Sequence, residues 1–130
     1  MKGYEVTIKE CSRELTARER IMFKDTSNAI KLDVAASDPA NAITGVVITP
    51  VDYAVLSIHN DKLKDNKDYE NYVLIDKDGT KYVTGSPSFW SAFSEITDEM
   101  AGESEEWSIS VYKLDSKNYK DKQFLTCSII

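Results

Sequence analysis

The residues of this sequence whose types and spacing could do chemistry are aromatic rings set among lysines. Tyr69, Tyr72, Lys81 and Tyr82 occupy two consecutive strand-like segments. Lys117, Tyr119, Lys120 and Lys122 crowd the polar string SKNYKDK, and Tyr112, Lys113 and Phe124 flank it. Lys62, Lys64 and Lys67 fall in a second polar string, HNDKLKDNKD. Unpaired nucleic acid exposes flat bases and charged phosphates together, so a protein that binds it without reading sequence needs rings for stacking and cations for the backbone. The rings and lysines of Tyr72, Lys81, Tyr82, Tyr112, Lys113, Lys117, Tyr119, Lys120, Lys122 and Phe124 are therefore the candidate contacts. Tyr119, in a polar string among lysines, is the ring hardest to assign to a core. Trp90 and Trp107 are expected to pack inside.

Groups for catalysis are missing by comparison. His59 is the one histidine, and Ser57 beside it belongs to no recognisable triad. No HExxH, P-loop or GxSxG string occurs. The string Asp76-Lys77-Asp78-Gly79 begins like a calcium loop but lacks the later glutamate and lies between two strand patterns, so a hairpin turn accounts for it better. Cys11 and Cys127 are far apart and lack a CxxC spacing, as expected of packing thiols rather than a bridge or metal site. The expectation is a protein that is not an enzyme and holds no metal or cofactor.

The net charge of −6 argues at first sight against a polyanion partner. The charge is uneven, however. Glu95, Asp98, Glu99, Glu103, Glu105 and Glu106 lie in a stretch, 86–106, without lysine or arginine. Setting these six aside from the 22 acids leaves acids and bases equal, at 16 each. An acidic lobe beside a neutral or basic face is the pattern expected. The arginines near the start alternate with acids and are expected to pair on the surface.

The elements that must position these groups follow from hydrophobic period. YEVTIK, residues 4–9, alternates as a strand. In 13–33, RELTARER suits a short helix capped by Thr16, and 21–33 reads as two strands about a Ser27-Asn28 turn. VAASDPANAITG, 34–45, reads as a connecting loop. VVITPVDYAVLSI is β-branched and apolar, with Pro50 marking an edge, a bulge or a break. YENYVLID and TKYVTG form a hairpin about Asp78-Gly79. Phe89, Phe93, Ile96 and Met100 share one helical face, with Ser86 as cap, Pro87 in the first turn and Gly102 beyond the end. WSISVYKL and QFLTCSII alternate as strands about the loop 115–121.

From residue 46 the order is three strands, a helix and two strands. That is the order of a five-stranded OB-type barrel, whose binding surface lies on the second and third strands between two loops. Those loops are 59–68 and 115–121. The fold expected is mainly β with one helix, a single OB-like domain over 1–130, with 1–45 as an N-terminal β extension packed on 46–130. Another β-meander packed on a helix has the same element order. No apolar run approaches a membrane span and the start lacks a signal-peptide core, so a cytoplasmic protein without a membrane partner is expected.

GTKYVTGSPSFWSAFSEI and SKNYKDKQFLTCSII, with ELTARERIMFKDTSNAIKLD nearer the start, resemble single-stranded-DNA-binding replication proteins of Gram-positive phages and related mobile elements. The resemblance covers most of the chain. It implies an OB fold, a host bacterial cytoplasm, and sequence-independent coating of single-stranded DNA during replication or recombination, alone or with other phage replication proteins. Contacts carried over with it are Tyr72, Tyr82, Lys117, Tyr119, Lys120 and Phe124. The bacterial housekeeping relatives end in a Gly/Pro-rich segment with an acidic tip. This sequence ends on the strand-like Cys127-Ser128-Ile129-Ile130, so recruitment through such a tail and a bacterial-type tetramer are not expected, and either a monomer or a dimer fits. The alternative reading is an acidic phage-encoded interaction protein that imitates phosphates with residues 95–106 and inhibits a host nuclease or polymerase.

Overall fold

A computed structural model describes residues 3–65, 67–116 and 122–130. The elements run β1 (Tyr4–Cys11), α1 (Ala17–Lys24), β2 (Ile30–Lys31), α2 (Leu32–Ser37), a 3-10 turn (Pro39–Asn41), β3 (Val46–Ile48), β4 (Pro50–Asn60), β5 (Asp68–Asp76), β6 (Lys81–Thr84), α3 (Pro87–Met100), β7 (Ile109–Asp115) and β8 (Gln123–Ile129). The strands form a five-stranded sheet, ordered β1-β4-β5-β6-β2, and a three-stranded sheet, ordered β3-β7-β8.

Pro50 explains the joint between the sheets. Without an N–H it cannot continue a ladder on both sides, so β3 stops at Ile48 and pairs with β7, while β4 starts at Pro50 and pairs with β5 through a bulge between Pro50 and Asp52. Thr49, at the joint, keeps its main chain satisfied: its N–H donates to Asp76 Oδ1 at 3.0 Å and its carbonyl accepts from Lys77 N–H at 3.0 Å. A second turn uses glycine for space. Gly45 enters β3 with φ +73°, and a Cβ there would meet Ser110 Oγ at 2.2 Å.

Two apolar clusters follow from the period of the strands. Leu32, Val46, Ile48, Leu74, Phe89, Phe93, Ile109, Val111, Leu125 and Cys127 form the core between the sheets, α2 and α3. On the opposite face of the larger sheet, Ala54, Leu56, Ile58, Val73 and Val83 pack with Leu15 and Phe23. Phe23 comes from α1, whose start is held by a capping box between Thr16 and Glu19. Arg13 ties this helix to the sheet, pairing with Glu19 and, at 2.9 Å through Nε, with Asp52. The guanidinium and the Thr16 N–H hold the Glu19 carboxyl down to about 2.

The fold departs from the sequence expectation in three places. The first of the two strands expected in 21–33 is a helix: Ile21 and Met22 have strand-like side chains, but the capping box starts α1 through them and leaves both exposed, while the Ser27-Asn28 turn and a two-residue strand at Ile30–Lys31 are present. Residues 34–37 continue α2 rather than a loop, because Leu32 is fully buried and Asp33 Oδ1 accepts from Thr84 Oγ1 at 2.6 Å. Neither sheet is closed as a barrel. Closure needs β6 beside β8. Instead β6 pairs in parallel with β2, and Ser88 of α3 donates to the Leu125 carbonyl of β8 at 2.7 Å. The Ser86 cap and Pro87 turn the chain into α3 two residues after β6 ends, so the helix occupies that seam.

The Asp78-Gly79 hairpin, the Thr16 cap and the α3 start agree with expectation. Gly79 has φ +90° and its N–H donates to the Asp76 carbonyl at 2.8 Å. Ser86 Oγ accepts from Phe89 N–H at 3.2 Å. Among the described residues, no helix is long and apolar enough to cross a membrane.

Candidate nucleic-acid interface

The candidate residues divide according to which face of which sheet carries them. Tyr72 is 6% exposed, and its ring stacks on Trp90 with centroids 4.8 Å apart. Burial, with Glu70 nearby, pushes its phenol up from the ordinary value. Tyr82 is half-buried against the inter-sheet core, and burial raises its phenol too. Tyr69 packs on the second cluster. Lys81 donates to the carbonyls of Met22 and, at 2.9 Å, Asp25, where it caps the C-terminus of α1. The surface expected on β5 and β6 is therefore occupied on both sides, by core on one and by α1 on the other. Trp90 is also half-buried, in an aromatic group with Tyr53 and Phe93.

The outer face of the three-stranded sheet is different. Register places Ile109, Val111, Leu125 and Cys127 inward, so Tyr112, Leu114, Phe124, Thr126 and Ser128 alternate outward. Leu114 lies opposite Phe124, and Tyr112 opposite Thr126. Phe124 is 38% exposed and Leu114 45%. Tyr112 is half-buried, and its hydroxyl shares a 2.5 Å hydrogen bond with Ser128 Oγ, which orients the ring along the face. Val47 of β3 extends the surface, next to Ser110. None of these side chains is charged.

Lys113 does not belong to this surface. It lies opposite Leu125, on the inward register, and its Nζ donates to Ser37 Oγ at 2.7 Å. Lys122 does lie beside the face, exposed at the start of β8, where its carbonyl accepts from Ser116 N–H at 2.8 Å. Lys117, Tyr119 and Lys120 lie outside the described residues. Leu114 and Val47 were not among the candidates, although strand alternation already puts Leu114 on the Tyr112 side.

The acidic residues sit elsewhere. Glu95 and Glu99 line a shallow groove with Ile96, Met100 and Ile129. Ile129 is at the opposite end of β8 from Phe124, about 17 Å away at strand rise. Glu106 pairs with Lys77 at 3.0 Å.

The other lysine-bearing loop is clasped by His59. Its Nδ1 meets Asp68 Oδ1 and its Nε2 meets Asp61 Oδ1, both at 2.6 Å. Ionised carboxylates only accept, so the protonated ring, which donates from both nitrogens, is the form these two contacts favour. The hydrogen bonds to Asp68 and then Asp61 raise its pKa. Lys62, Lys64 and Lys67 are exposed on the loop so closed. In the sequence His59 shows only Asp61 nearby; its other aspartate partner, Asp68, comes from β5, and only the folded hairpin delivers it. No group of three or more histidine, cysteine, aspartate or glutamate side chains suited to a metal ion occurs among the described residues.

Compared with protein-family models, curated proteins and solved structures, the chain matches none of them.

Proposed function

We propose that this protein binds single-stranded DNA without sequence preference, on the outer face of β7 and β8, as a coating protein in phage or mobile-element replication or recombination. The observation that carries the reading is a partly exposed sheet face bearing Tyr112, Leu114 and Phe124, with no charged side chain among these outward strand residues and with Lys122 exposed just before β8; Lys117 and Lys120 belong to the same polar string in the sequence. Bases stacked on such rings contribute about 1–3 kcal/mol each, and lysines at the rim meet the phosphates. The strand plan supports an OB-type reading with one open seam: the chain from β3 to β4 serves both sheets, and β4-β5-β6 precede α3 while β7-β8 follow it. Relative to the sequence expectation, the binding face moves from β5-β6 to β7-β8, because Tyr72, Lys81 and Tyr82 serve the fold.

Titration of a labelled oligo-dT by fluorescence anisotropy at low and high salt tests this. Binding at micromolar protein that weakens as salt rises is expected. No binding at low salt removes the proposal.

Glu103 and Glu105 are exposed and enter no ion pair among the described residues, which favours a second reading as an acidic protein that captures a basic surface of a host nuclease or polymerase. Charge reversal at both positions should then abolish partner capture and leave oligo-dT binding unchanged.

A further inference from the structure

We propose that two copies of this chain pair through β1, joining their five-stranded sheets into one continuous antiparallel sheet. Among the described residues, β1 is the longer end strand of that sheet; the other, β2, has two residues. The phase of the ladder shows which groups are free. The Gly3 carbonyl accepts from Asp61 N–H at 2.7 Å, in line with the pairing Tyr4↔Asn60, Val6↔Ile58 and Ile8↔Leu56. Hydrogen-bonded pairs alternate along an antiparallel ladder. Glu5 and Thr7 therefore bond to β4, while Tyr4, Val6 and Ile8 turn their N–H and C=O groups away from the sheet.

The side chains select one register and one partner. If a second β1 runs antiparallel with a two-fold axis between the two copies of Thr7, Val6 lies opposite the second copy's Ile8, and Glu5 opposite its Lys9. The outward main-chain groups of Val6 and Ile8 then bond to each other across the axis. Val6 and Ile8 already pack on the second apolar cluster, so the new contact extends that cluster. Lys9 sits at the bulge between Ile8 and Glu10 and reaches Glu70 at 2.7 Å, and Glu5 of the second copy brings it another carboxylate. The string Glu5-Val6-Thr7-Ile8-Lys9 is complementary to its own reverse in both charge and apolar character. That makes the surface isologous and favours a second copy over an unrelated strand. A contact of one strand is small, so the dimer forms with rising concentration rather than permanently.

Sedimentation equilibrium over a micromolar to millimolar range tests the proposal. A monomer–dimer equilibrium is expected for the full chain. Glu5→Lys and Lys9→Glu should each shift it toward monomer by tenfold or more, and the double swap should restore it. A second measurement does not depend on those charges. In a Cys11→Ser background, Thr7→Cys should oxidise rapidly to a disulfide dimer, since opposed residues of a non-hydrogen-bonded pair stand about 4.5 Å apart between Cα atoms, within disulfide reach. Ser27→Cys should not. A monomer at every concentration, a dimer indifferent to Glu5→Lys, or equal cross-linking at positions 7 and 27 would overturn the proposal.

Discussion

Tyr72 and Trp90 lie with ring planes 4° apart and centroids 4.8 Å apart, one from β5 and one from α3. The stack is of the kind a DNA base would make with an exposed tyrosine, yet both of its faces belong to the protein. It links the larger sheet to the helix that fills the open seam; Tyr53 meets Trp90 and Phe93 edge-on, and Phe93 lies tilted against Trp90.

Tyr72→Ala is accordingly a stability variant. Loss of a buried ring is expected to cost about 3–5 kcal/mol, seen as a lower midpoint in urea denaturation. The folded fraction should bind oligo-dT as the parent does. A variant of normal stability with lost binding contradicts this placement.

Tyr112→Ala and Phe124→Ala should behave in the opposite way. Each is expected to weaken oligo-dT binding by about 1–3 kcal/mol, with only small changes in unfolding. Lys122→Ala should lower the slope of affinity against salt by roughly one contact. Anisotropy titrations at several salt concentrations measure both. Unchanged affinity in the two ring variants would remove the face from consideration.

His59 makes stability depend on pH, with a sign set by its partners. Its pKa is raised above the ordinary 6.5 by Asp68 and Asp61, and Glu5 lies across the strand from it. The folded state therefore binds the proton more tightly than the unfolded chain. The resulting stability is fully present below the unfolded value and is lost as pH rises through the folded one. Melting temperature should fall over that interval in the parent and stay flat in His59→Gln. NMR titration of the ring should show the raised pKa, and Asp68→Asn should lower it.

The two cysteines should differ in reactivity. Cys11 is exposed, whereas Cys127 is buried in the inter-sheet core, which pushes its thiol up to about 12. Alkylation of the native protein at neutral pH should modify Cys11 and spare Cys127 until denaturant is added. Mass spectrometry of the digested protein reads the outcome.

Features set by neighbours in the chain were legible in the sequence by itself. Ser86 and Pro87 start α3, Thr16 caps α1, Asp78-Gly79 turns the hairpin and Pro50 interrupts its strand, because each acts through backbone geometry within a few residues. Alternation along β7 and β8 likewise sets Tyr112 and Phe124 on the face away from Leu125, and Lys113 on Leu125's own side. Only the tertiary structure decided the rest. Whether a tyrosine in a strand meets solvent or core depends on what lies over its face, and Tyr72 met Trp90, from a helix that follows it in the chain. The amphipathic period of 21–33 was too weak to choose between strand and helix until Leu15 and Phe23 found the sheet. Closure of a barrel depends on which strand reaches an edge, and β2, two residues long, paired with β6 while α3 filled the seam beside β8. Burial and edge pairing are contests among segments distant in sequence, so residue order alone leaves them open.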